Sequence, residues 1–273
     1  MSQETPADHI SMKRVVYRID GMERADVQRD VIYRTTDGGP LTMDVYYPPA
    51  ADRGTALPAV VLVAGYNDAG YQKMLGRPFK DMGMTISWAQ LIAASGIVAI
   101  ALTNRDPLAD LDALLEHVRR HGAALGIDAD RLGVWGCSGN VPLALHAVMQ
   151  THTPVRCALL LYGYTIDLNG ATGVADASAA FRFANPNAGR SMDDLPRDVP
   201  LFIVRAGLEQ FPHLNDSIDR FVERAVAVNL PLTLVNHATG PHSFDLLDDT
   251  AMSRSIVRQG LGFLESQLTG AGS

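Results

Sequence analysis

The run Val134-Trp135-Gly136-Cys137-Ser138-Gly139-Asn140-Val141-Pro142 sets a cysteine and a serine side by side between two glycines. Apolar residues precede it, and a helix-like stretch, VPLALHAVM, follows, with Pro142 tolerable in a first helical turn. Strand, tight turn, helix is the setting of a nucleophile elbow, where the reactive side chain sits at strained backbone angles. Close backbone packing there demands small residues two positions before and two after. Centred on Ser138, those flanks are Gly136 and Asn140; centred on Cys137, they are Trp135 and Gly139. A tryptophan at the first flank would clash, whereas an asparagine at the second only loosens the pattern. Ser138 is therefore the expected nucleophile, and Cys137 a small apolar residue packed behind it.

Working outward, the apolar run before the elbow is one of several. Val60–Gly65, Ile97–Leu102, Leu132–Trp135, Cys157–Tyr162, Leu201–Val204 and Leu232–Val235 are continuous, as in strands buried on both faces. Helical spacing falls between most of them, at Leu111, Leu114, Leu115 and Val118 and again at Ile218, Phe221, Val222 and Ala225. Gly96 is a C-terminal stop for a helix over Ser87–Ser95, and a last helix closes the chain from about Thr250 to Leu268. The runs VIYRTT and LTMDVYY flank Asp37-Gly38-Gly39 and predict an antiparallel hairpin at the start. The expected fold is a single α/β domain over 1–273, a mostly parallel central sheet with helices on both faces. Residues 1–12 and 269–273 are expected to be frayed, and 165–200 to be an insertion near the site, a lid or a plain surface loop.

Of 273 residues, 47% are apolar and 19% charged, which fits a globular domain rather than disorder. A net charge of -7 with scattered Lys and Arg argues against nucleic-acid binding. No apolar run approaches the roughly 18 residues of a membrane span. The polar start MSQETPADHI shows no secretory signal, and two cysteines make no disulfide framework, so a cytoplasmic location is the expectation. Oligomeric state is not legible.

In open α/β sheets the chemistry lies just beyond the carboxyl ends of the strands. A serine hydroxyl needs a base, and of eight histidines His213, His237 and His242 stand in suitable places. His242, in a loop bounded by Gly240 and Pro241 after the last strand, fits best, with His237 as its rival. The preceding strand delivers Glu209 to orient the base, in the chain order Ser, acid, His. Asp216 and Asp219 fall inside the next helix. The backbone N–H groups of Gly139 and Tyr66 are expected to hold the developing oxyanion. Arg105, Tyr164 and Phe211 are candidate substrate-binding residues, Arg105 for any substrate carboxylate.

Taken together, these residues resemble the α/β-hydrolase superfamily, in its serine-esterase and dienelactone-hydrolase-like branch. The resemblance runs from about Val31 to Leu268. It is carried by WAQLIAASG (Trp88–Gly96), GIDADRLGVWGCSG (Gly126–Gly139), VRAGLE (Val204–Glu209) and GPHSF (Gly240–Phe244). It implies a Ser-His-Glu hydrolase of a small soluble carboxylic ester, with no metal or organic cofactor. Three positions depart from the pattern. Asn140 replaces the second elbow glycine, AGYN stands where many esterases carry HGGG, and serine replaces the elbow cysteine of dienelactone hydrolases. Alternative expectations are a lactonase or thioester hydrolase, and a non-catalytic small-molecule-binding protein of the same fold.

Overall fold

The uninterrupted apolar runs form the middle of one sheet, because a strand covered by helices on both faces has no solvent side to leave polar. The computed structural model describes residues 9–49, 51, 54–150 and 155–270. Among these, the strands are β1 (Asp26–Thr36), β2 (Gly39–Tyr47), β3 (Leu57–Leu62), β4 (Val98–Leu102), β5 (Ile127–Cys137), β6 (Cys157–Leu161), β7 (Leu201–Leu208) and β8 (Leu232–Pro241). They pair in the order β1-β2-β4-β3-β5-β6-β7-β8. The predicted hairpin joins β1 to β2, which runs antiparallel to β4; every other neighbour is parallel.

The helices are α1 (Asp68–Leu75), α2 (Gly83–Ala94), α3 (Pro107–His121), α4 (Val141–Met149), α5 (Gly173–Phe181), α6 (Leu214–Ala227), α7 (Phe244–Leu247) and α8 (Ala251–Leu268). Local chemistry explains their ends. Asp106 accepts from the N–H groups of Leu108 and Ala109 to cap α3, with Pro107 at its first position. Gly96, at φ +83°, turns the chain out of α2 as expected. The core packs Trp88 of α2 against Trp135 of β5, ring centroids 5.3 Å apart and both fully buried. This is the α/β-hydrolase arrangement.

One strand differs from its apolar run. The run ends near Val235, with a loop expected beyond His237, yet β8 continues to Pro241. A β-carbon on Gly207 would lie 2.1 Å from the Ala238 carbonyl oxygen, so glycine there lets the two strands close up. Pairing resumes past a bulge, with Leu208 opposite Pro241. Glu209 and His242 are thus the next residues along two paired strands.

The 165–200 segment contains α5 and packs onto the strand ends. The Ala184 N–H donates to the Gly65 carbonyl at 2.7 Å, and Asn187 Nδ2 donates to the Pro142 carbonyl at 2.6 Å. Within the start expected to be frayed, Ile10–Met12 form a 3-10 turn with Ser11 buried, while residues 1–8 and 271–273 lie outside the described residues. No helix among the described residues is long and apolar enough to cross a membrane.

Two glycines give opposite expectations. A β-carbon on Gly65 would sit 2.3 Å from the Gly139 carbonyl oxygen, so Gly65→Ala should cost about 1–3 kcal/mol. Gly262, exposed in α8 with nothing within 4 Å, should gain up to about 1 kcal/mol as alanine. Urea midpoints of the two variants check both signs.

Candidate active site

β5 ends at Cys137 in ordinary extended geometry, φ -135° and ψ 152°. The next residue, Ser138, stands at φ +54°. Non-glycine residues avoid that region, and strain of this kind persists only where the surroundings impose it. Here they do. A β-carbon on Gly136 would lie 2.9 Å from that of Ala144, and one on Gly163 would lie 2.6 Å from the Ser138 carbonyl oxygen. Of the non-glycine residues with positive φ among the described residues, Ser138, Tyr162, Arg182 and Ser243 all line a single cavity. Cys137 is only 3% exposed, and burial, reinforced by the charge of Asp245, pushes its thiol well above the ordinary range. A thiol so placed stays protonated and inert.

His242 lines the same cavity as Ser138, and its Nδ1 lies 2.5 Å from Glu209 Oε2. The Glu209 side chain is 1% exposed and that of His242 19%. Burial alone would raise the Glu209 carboxyl. The hydrogen bond and charge of His242, with the N–H groups of Phe211 and Gln210, outweigh it and hold the carboxyl below its usual value. An ionised carboxylate only accepts, so Nδ1 carries a proton, and in the neutral ring the lone pair then falls on Nε2. Tyr162 supports the imidazole edge-on at 4.9 Å, and its hydroxyl donates to the fully buried Asp245 at 2.6 Å.

The loop after β3 is tied at several points. Asn140 Oδ1 accepts from the Gly65 N–H at 2.8 Å and from the Tyr71 hydroxyl at 2.6 Å. Asn104 Nδ2 donates to the Tyr66 carbonyl at 3.2 Å. Gly65 therefore spends its N–H on Asn140, and Tyr66 and Gly139 line the cavity beside Ser138. The asparagine that loosens the elbow pattern is, in the folded chain, the clamp between elbow and loop.

The cavity measures about 780 Å³. Tyr164 and Phe211 line it; Phe211 packs 4.6 Å from the His242 ring, and the Tyr164 hydroxyl donates to the Pro212 carbonyl at 2.9 Å. Arg105 requires correction. Its guanidinium donates to Thr36 Oγ1 and to the carbonyls of Gly38 and Gly39, so it serves the β1–β2 hairpin and is absent from the cavity wall. The rival base is likewise removed: His237 is buried, its Nε2 within hydrogen-bond reach of Asp248 and Ser253 at the start of α8. His213, at φ +62° ahead of α6, lines a separate polar hollow. Met82, Met84, Phe79 and Leu246 join the wall without any local sequence signal. Among the described residues, no three His, Cys, Asp or Glu side chains converge as a metal site.

No protein-family model matches the chain, and no curated protein matches it. Its fold is similar to that of a thermophilic esterase, Est2, from the planctomycete Thermogutta terrifontis, at 20% identity and TM-score 0.64, covering 93% of this chain and 96% of that one. The esterase LipW from Mycobacterium marinum gives 19% identity and TM-score 0.65, with 90% and 83% coverage. LAE6, an α/β-hydrolase enzyme from the metagenome of Lake Arreo, Spain, gives 19% identity and TM-score 0.68, with 91% and 84% coverage.

Removing the Asn140 carboxamide leaves two donors, the Gly65 N–H and the Tyr71 hydroxyl, without their acceptor. Asn140→Ala should therefore cost about 1–3 kcal/mol of stability, and Tyr71→Phe, which leaves the Gly65 bond intact, clearly less. Chemical denaturation of both variants tests the clamp; equal losses would contradict it.

Proposed function

We propose that this chain is a serine hydrolase of carboxylic esters, with Ser138, His242 and Glu209 as its triad. A serine forced into left-handed backbone geometry, on one cavity with a histidine whose Nδ1 is bound to a buried carboxylate, carries this reading. As Ser138 Oγ attacks the ester carbonyl, His242 Nε2 takes its proton. Glu209 holds the ring in the required tautomer and stabilises the imidazolium. The negative charge gathering on the carbonyl oxygen faces the N–H groups of Gly139 and Tyr66. Collapse expels the alcohol, which takes the proton from His242, and leaves an acyl group on Ser138. Water, deprotonated by the same imidazole, then releases the acid. The fold neighbour Est2 is phosphoramylated by tabun and phosphonylated by sarin, reagents that capture activated hydroxyls.

Because Glu209 is held below its ordinary value, it stays ionised at neutral pH. Its support is present above the unfolded carboxyl value and is lost as pH falls through the lower folded one. Turnover of 4-nitrophenyl butyrate should fall by at least about a thousandfold in Ser138→Ala and His242→Ala, and by less in Glu209→Gln. Cys137→Ala should keep the activity. Loss in Cys137→Ala with retention in Ser138→Ala would transfer the nucleophile to the thiol and end this reading.

A further inference from the structure

The wall of the Ser138 cavity runs against the charge of the chain as a whole. The sequence holds 30 acidic residues against 23 Lys and Arg. Yet among the described residues the Lys, Arg, Asp or Glu side chains lining the cavity are Lys73 and Arg182, with no carboxylate. Both are exposed, and neither has an ion-pair partner among the described residues. Outside the cavity some cations are paired to aspartates, as Arg190, Arg197 and Arg205 are, and others such as Arg224 and Arg258 have no ion pair among the described residues. Lys73 lies in the last turn of α1, where a cation is ordinary. Arg182 is not ordinary. It occupies the residue after α5 at φ +67° and ψ 28°, a position glycine or asparagine normally takes. Its guanidinium and the Lys73 ammonium are the charged groups that line the cavity among the described residues.

Most of the remaining wall is apolar. Tyr71, Phe79, Met82 and Leu246 are buried behind it, while Met74, Phe181 and Phe211 stay exposed at the rim. About 780 Å³ lies within the range of pockets that hold drug-sized molecules, well beyond the needs of an acetyl group.

We infer that the site takes esters joining a bulky apolar group to an acidic one, a carboxylate or a phosphate. The apolar part fills the cavity, and the acid meets Lys73 and Arg182. The chemistry of turnover rests on the hydrolase reading above; the charge preference in binding does not. Exposed cations in water contribute modestly, so the preference is several-fold and fades with added salt.

The test compares 4-nitrophenyl hexanoate with its acid-ended counterparts, mono-(4-nitrophenyl) adipate and 4-nitrophenyl 6-(phosphonooxy)hexanoate. The native chain should favour at least one acidic ester by about fivefold or more in kcat/KM, through KM; whichever is favoured identifies the anion. The preference should collapse in Lys73→Glu/Arg182→Glu. It should persist in Arg224→Glu/Arg258→Glu, which carries the same net charge with both changes outside the cavity. Calorimetric titration of the three esters into Ser138→Ala protein reads the same ratio as Kd, whether or not turnover occurs. Turnover without preference would overturn this inference and leave the hydrolase reading standing. Absent turnover with charge-selective binding would do the reverse. Equal loss in both charge variants would assign the effect to the general field and overturn the inference.

Discussion

The backbone between β5 and α4 is packed so closely against its neighbours that Ser138 is left at φ +54°. Gly65, Gly136 and Gly163 each mark a contact at which one added carbon would meet another atom at 2.9 Å or less. Strain of this kind costs about 1–3 kcal/mol, and the sheet supplies the means to hold it. β5 lies between β3 and β6 with its residues from Leu132 to Cys137 buried, so the strand cannot shift to relax the turn. The place of Ser138 on the cavity wall follows from that rigidity, as does the nearness of the Gly65 loop.

The same sheet brings Glu209 and His242 together. Bulged pairing of β7 with β8 brings Leu208 opposite Pro241, so the residues that follow, Glu209 and His242, emerge side by side. Burial then acts in two directions. It pushes the Cys137 thiol up, with no hydrogen-bonded cation to offset it, and the thiol is silenced. It would push Glu209 up as well, but the imidazole and two backbone N–H groups reverse the sign. Two potential nucleophiles stand one residue apart, and their surroundings separate them.

Much of this was legible in the sequence because it is written locally. Continuous apolar runs mark strands buried on both faces, and the size of the elbow's flanking residues separates Ser138 from Cys137. Glu209 and His242 follow from their places after the last two strands. What escaped was written at long range. Asn140 reads only as a departure from a pattern, since its bonds reach Gly65 and Tyr71, some seventy positions earlier. Arg105 follows a strand end like a site residue, and only the folded hairpin shows where its guanidinium goes. Lys73, in α1, and Arg182, just after α5, come to line the cavity that holds Ser138 through packing that no local spacing encodes.

The central claim is that Ser138 is activated by its surroundings. Intact-mass measurement and peptide mapping after exposure to a fluorophosphonate probe address it directly. The account predicts one adduct per chain, on the peptide containing Ser138, and none in Ser138→Ala protein. A folded chain that takes up no probe, or takes it up at another residue, would contradict it.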